Sequence, residues 1–199
     1  MAVVATEAIW IDNRKDVVLL LLLSPGTEDT LNERVAGRTR LMKLVYLFYK
    51  EVWRKLEGFR AVSSDKQHRF IPFHFGPFSK DLFDDIVFLE NVGLVREQAG
   101  EGESSMAELW ELRQFYEELT LEGVESDELD TGYREPVFSL TDEGVKLANR
   151  MYMQLSEAER RALREFKTRY SAIPLSTLLR YVYKTYPDDA AESKIRGRF

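Results

Sequence analysis

Three features of the sequence predict a mainly α domain of α+β class, with a winged-helix-like core built around a short β-hairpin. Apolar residues recur at helical spacing through most of the chain. Two β-prone runs, Leu94-Val95 and Val137-Phe138-Ser139-Leu140, stand far apart with an acidic block between them. Helix-start signals precede the later helical runs: Ser79, Thr141, and Ser156 with Glu159 three residues on.

With 199 residues, 44% of them hydrophobic, the chain can fill one well-packed core. It shows no internal repeat and no second core. The expected layout is one domain over 1–199, with a core at about 38–150, an acidic helical insertion in the wing at 99–135, and extra C-terminal helices at 156–187. The absence of cysteine excludes disulfides and thiolate zinc sites, and it fits a reducing, cytoplasmic setting. The longest apolar run, Val17 to Leu23, is far short of the roughly 20 residues a membrane helix needs. Asp16 before it and Ser24-Pro25-Gly26 after it do not make a signal peptide. The run reads as a buried helix, Asn13 to Ser24, ended by Pro25 and Gly26.

The strongest periodic signal is about Thr39 to Leu56. Leu41, Leu44, Val45, Phe48, Val52 and Leu56 form one arc, and Met42, Tyr46, Tyr49 and Trp53 widen it, which predicts a central helix packed on several sides. Gly58 is its expected stop. Phe70 to Phe75 reads as a short edge strand or extended link, because Pro72 removes a ladder donor. Gly76-Pro77 marks a turn. Ser79 then caps a helix to about Asn91, with Phe78 and Phe83 as a hydrophobic staple and Leu82, Ile86 and Leu89 facing the core. Gly93 ends it. Thr141 caps a helix over about Asp142 to Leu155. Ala162, Leu163 and Phe166 face inward on the next. Pro174 opens the last, whose face is Leu175, Leu178, Leu179, Val182 and Tyr186. Capped helix, glycine, strand, wing, strand and Leu-Thr-x-x-Gly helix start make up a winged-helix rhythm.

Charge is unevenly placed. Residues 99–135 hold twelve acidic and two basic residues, a net of −10, so the remainder of a chain at −6 carries +4. An amphipathic helix with Met106, Leu109, Trp110, Leu112, Phe115, Tyr116 and Leu119 is expected inside this block. The tail from Lys194 to Arg198 is basic.

The motifs Lys43-Leu44-Val45-Tyr46, Phe73-x-Phe75-Gly76-Pro77-x-Ser79-Lys80-x-Leu82 and Leu89-x-x-x-Gly93-Leu94-Val95 resemble the Panacea antitoxin domain, the SocA-like group, and the related YwgA-like bacterial proteins. The resemblance covers roughly 38–150. It implies an interaction domain, since members of that family neutralise diverse toxins. It also marks Lys43, Tyr46, His74, Gly76, Pro77 and Ser79 as motif residues, mostly structural. The insertion and the C-terminal helices depart from the family pattern.

Four places invite a functional reading. Arg40, Lys43, Lys50 and Arg54 fall within about 80° at helical spacing and would face phosphates or an acidic partner; the plainer reading is a solvated face. On the Ser79–Asn91 helix, the outer face offers Asp81, Asp84, Asp85, Phe88 and Asn91, with Lys80 the lone cation. Duplex DNA carries a charge per roughly 1.7 Å of axis, so these carboxylates would repel it, and an acidic face around Phe88 suits a basic protein surface; the plainer reading is a solvated face with Phe88 tucked under a neighbour. His74 lies among aromatics, and the only other histidine is His68; without cysteine or an HxxxH pair, this predicts no metal site and a packed side chain. The acidic block could engage basic partners, or be a solvated loop.

No GxGxxG, GxxxxGK[ST] or GxSxG occurs. The expectation is a non-enzymatic protein-binding or regulatory module, antitoxin-like, with no catalytic residues and no cofactor. It would occlude a partner protein, such as a toxin, through Arg40, Lys43, Lys50, Arg54, Lys80, Asp84 and Phe88. The alternative is a winged-helix DNA-binding transcriptional regulator using the basic stripe and tail.

Overall fold

The computed structural model describes residues 11–56, 66–73, 76–103 and 134–191. Gly58, His74, Phe75, the helix expected at 106–119 and the basic tail lie outside these residues. The described chain is mainly helical, with one small three-stranded antiparallel sheet.

Helix α1 (Arg14–Leu23) starts in a capping box. The Asn13 side chain accepts from the N–H groups of Lys15 and Asp16, and the Asp16 carboxylate accepts from the Asn13 N–H. Its seven apolar residues, Val17 to Leu23, are all buried, so α1 is surrounded on every side. It meets helices on several sides and also packs on the sheet. At its end the Ser24 hydroxyl donates to the Leu20 carbonyl at 2.6 Å.

Strand β1 (Val35–Ala36) follows a loop in which Asp29 and Asn32 take positive φ. Polarity gave no hint of a strand here. Asn32 supplies the reason for one: its amide accepts from the Leu140 N–H at 2.7 Å and donates to the Leu140 carbonyl at 3.1 Å, imitating a ladder residue. Val35 and Ala36 then pair with Phe138 and Val137.

Helix α2 (Arg38–Leu47) runs on through a π-helical turn, Phe48–Val52, and a 3₁₀ turn, Trp53–Lys55. A single bridge, Ile71 to Phe78, replaces the edge strand expected at 70–75. Helix α3 (Lys80–Asn91) is capped by Ser79, whose oxygen accepts from the Leu82 N–H. Gly93, at φ 72°, turns the chain into β2 (Val95–Glu103), which pairs with β3 (Arg134–Leu140). The register runs from Val95 opposite Leu140 to Glu103 opposite Arg134, with an irregularity between Ala99 and Glu103, and the strand order is β1-β3-β2.

Helix α4 (Asp142–Tyr152) is capped by Thr141, which accepts from the Gly144 N–H and donates to the Gly93 carbonyl. It ends three residues before the expected Leu155, which is nonetheless buried. Helix α5 (Glu157–Ser171) opens with the expected Ser156–Glu159 capping box, and α6 (Leu175–Thr185) follows Pro174. A last 3₁₀ turn spans Asp188–Ala190.

Polar groups buried in this core are closely matched. The Lys167 ammonium, on α5, donates to the carbonyls of Leu22, Ser24 and Glu33 at 3.0, 2.6 and 2.8 Å, one acceptor for each N–H. The Glu33 carboxylate in turn accepts from the N–H groups of Gly26, Thr27 and Glu28. Among the described residues, no helix is long and apolar enough to cross a membrane.

Candidate functional site

Among the described residues, the outer face of α3 is a distinctive exposed surface. Three large apolar side chains stand on it: Val87, Phe88 and Val92, with Phe88 49% exposed. Asp84 lies beside them and holds Lys80 in an i,i+4 ion pair at 2.9 Å. Asp81 continues the acidic edge and is 3.4 Å from the Arg14 guanidinium. Apolar side chains flanked by carboxylates describe this face better than a cationic surface does.

Asp85, expected on the same face, is instead buried, because it lies on the flank of α3 that meets α1. Its carboxylate takes Arg14 Nε at 2.6 Å and Lys15 Nζ at 3.2 Å. His68 Nε2 lies 3.2 Å from the same carboxylate, in ion-pair range but without a well-directed hydrogen bond. On the other side of the ring, the Tyr49 hydroxyl meets His68 Nδ1 at 3.0 Å. Burial by itself would raise the Asp85 pKa; the close approach of His68, Arg14 and Lys15 overrides it and holds the carboxyl at about 2. Burial pulls His68 below its ordinary 6.5, against the attraction of Asp85. Burial also raises Tyr49 above 10. Lys15 reaches outward as well, its Nζ 5.1 Å from the centre of the Phe88 ring.

A second polar cluster sits at the π turn of α2. Glu51 accepts three tyrosine hydroxyls: Tyr170 at 2.7 Å, Tyr181 at 2.8 Å and Tyr186 at 3.3 Å. Beside it, Asp189 accepts from the Tyr46 hydroxyl at 2.6 Å and pairs with Lys50 at 2.7 Å. Burial, then the neighbouring carboxylates, raise Tyr46 and Tyr170 well above 10, and Tyr186 to about 12. This cluster joins α2 to α5, α6 and the last turn. π turns often occur at functional sites, but here every tyrosine hydroxyl named is spent on an internal carboxylate.

The four cations of α2 do not form a shared solvent face. Lys43 is fully buried and donates to the Pro77 carbonyl at 3.0 Å. Arg40 donates to the carbonyls of Tyr170 and Ser171 in the last turn of α5 and of Ile173 just past it, a favourable place for a cation at a helix C-terminus. Lys50 is held by Asp189, and Arg54 is exposed. The helical projection assumed a regular α turn throughout, whereas the π turn after Leu47 changes the angular register. The described motif residues make contacts within the fold, while His74 lies outside the described residues. Lys43 and Pro77 join α2 to the start of α3, and the Ser79 N–H meets Met42 Sδ at 3.4 Å. Gly76 adopts φ 83°, and a Cβ there would lie 2.8 Å from Tyr183.

Sequence reasoning missed both clusters as units. Asp85, His68 and Arg14 are far apart in the chain, and no spacing rule joins them. The same holds for Glu51 and its tyrosines. Among the described residues, no group of three or more His, Cys, Asp or Glu side chains could hold a metal ion. Compared with known proteins, the chain matches no family model, no curated protein and no solved structure.

Proposed function

We propose that this protein is a non-enzymatic binding module with a winged-helix-like core, which occludes a partner protein in the manner of an antitoxin. The element order α1-β1-α2-α3-β2-β3, with strand order β1-β3-β2, supports the winged-helix reading. In that arrangement α3 is the helix that would enter a DNA groove.

The observation that carries the proposal is the outer face of α3. Val87, Phe88 and Val92 are exposed there beside Asp81 and Asp84. Asp81 and Asp84 are each met by a cation, Arg14 and Lys80, so this face has little net positive charge to offer a phosphate backbone, which would also gain little from the apolar side chains. A protein surface with an apolar centre and basic rim would be complemented by both, with Phe88 as the aromatic anchor. No bond need be made or broken.

The test is photo-crosslinking in extracts of the source cell, with a photoreactive phenylalanine at position 88 and, as control, at the exposed Met153. A single protein adduct formed at 88 and absent at 153, whose capture by the unlabelled protein is lost on Phe88→Glu, is the expected result. Salt-sensitive binding of duplex DNA that survives Phe88→Glu, with no protein adduct, would replace this reading with the DNA-binding one.

A further inference from the structure

We infer that Lys15 is a positioning residue of the α3 face, one that makes the exposed Phe88 ring respond to protonation of the buried His68. The inference deepens the reading of α3 as a docking surface and rests on it for its biological meaning; the contacts themselves do not.

The chain of contacts is continuous. Tyr49 meets His68 Nδ1, His68 Nε2 faces Asp85, Asp85 holds Lys15, and Lys15 covers the Phe88 ring. Phe88 lies three residues after Asp85, so both flank the point where α1 crosses α3. The groups around His68 are Arg14 and Lys15 from α1, Tyr49 from α2, and Asp81 and Asp85 from α3, with Arg69 next to it in the chain.

With the imidazole neutral, Asp85 answers two cations. Protonation adds a third within 3.2 Å of the same carboxylate. The cation held least firmly then gives way. Arg14 is the tighter partner, with Nε at 2.6 Å and a second contact to Asp81. Lys15 is held at 3.2 Å, and its side chain is one-third exposed, so water can receive its ammonium. Its departure uncovers the ring face of Phe88 and places a free positive charge beside a surface whose other cations, Arg14 and Lys80, are held by Asp81 and Asp84. Acid therefore alters the docking face through a residue outside it. The lowered pKa of His68 sets this response below pH 6.5.

The experiment is an NMR titration of the full chain from pH 7.5 to the onset of acid unfolding, following the His68 ring and selectively labelled phenylalanine rings. The Phe88 resonances should shift with the His68 midpoint. In Lys15→Met, which keeps the packing of the stem, His68 should still titrate while the Phe88 response is lost. In His68→Asn the Phe88 step at that midpoint should vanish. A His68 that stays neutral until unfolding, a Phe88 ring indifferent to a titrating His68, or a Phe88 step that survives Lys15→Met would each overturn the inference. None of these outcomes involves a partner, so the inference can fail while the docking role of α3 stands, and the reverse.

Discussion

The ammonium of Lys167 lies 2.6 Å from the carbonyl oxygen of Ser24, just past the end of α1, in a site where only 1% of the residue reaches solvent. Burial draws its pKa down to about 7, against the attraction of Glu33. The folded pKa is below the ordinary value of 10.5, so the unfolded chain binds more protons between those limits. Stability contributed by this group therefore rises with pH from about 7 toward 10.5, by up to a few kcal/mol in all. Urea midpoints measured from pH 7 to 9 should increase, and the part due to Lys167 should disappear in Lys167→Met. Above about pH 10, the raised pKa values of Tyr46 and Tyr170 act in the opposite direction, because only the unfolded chain ionises there. At pH 7, Lys167→Ala should itself cost about 3 kcal/mol, since it leaves a cavity and three carbonyls without their donor.

Asp85 gives the acid counterpart. Its folded pKa, about 2, is below the ordinary carboxyl value of 3.8. Its stabilising effect is fully present above about pH 4 and is lost as pH falls through 2. Asp85→Ala should cost about 3 kcal/mol at neutral pH by leaving Arg14 and Lys15 without their shared carboxylate, although Arg14 keeps Asp81. Thermal unfolding at pH 7 and pH 2.5 checks both statements: the gap between wild type and variant should narrow at the lower pH.

At Glu51 the coupling among tyrosines is measurable. Glu51→Gln keeps the shape but weakens three charge-assisted hydrogen bonds, so a loss of about 2 kcal/mol is expected. Tyr181→Phe removes one of them and should cost about 1 kcal/mol. In a double-mutant cycle by urea denaturation the two losses should add to more than the loss of the double variant, because Tyr181 has less to lose once the carboxylate is gone.

Gly144 tests a close approach of backbones. A Cβ there would lie 2.0 Å from the Leu94 carbonyl oxygen, a backbone atom that cannot swing aside. Gly144→Ala should push the start of α4 away from β2 and cost about 3 kcal/mol, despite the better helix propensity of alanine. A melting temperature equal to wild type would contradict the packing described for this corner.

Much of this architecture was legible in advance because its signals are local. Asn13, Ser79, Thr141 and Ser156 stand at helix starts, and the periodic apolar residues of α3, α5 and α6 face inward as read. What escaped depends on contacts between distant residues. β1 is two residues long and is held by Asn32 against Leu140, a pairing that no pattern in residues 26–36 announces. Lysine is seldom buried, so Lys43 reads as a surface cation, whereas the fold buries it and gives its ammonium the Pro77 carbonyl. Asp85 was grouped with Asp81 and Asp84 by helical position, but the approach of α1 takes it out of solvent. Phe88, by contrast, is exposed as its place on the helix implied.

The pairing of Glu103 with Arg134 has a consequence for how the hairpin closes. The last pair of β2 and the first of β3 are directly opposed, so the two points that the connection joins are already together when the hairpin forms. Closure entropy grows only slowly with length, each doubling costing about 0.6 kcal/mol. The length of the connection is therefore a small term in closing the hairpin. The paired strands thus keep their register through Val95 against Leu140 whatever the length of the connection between them.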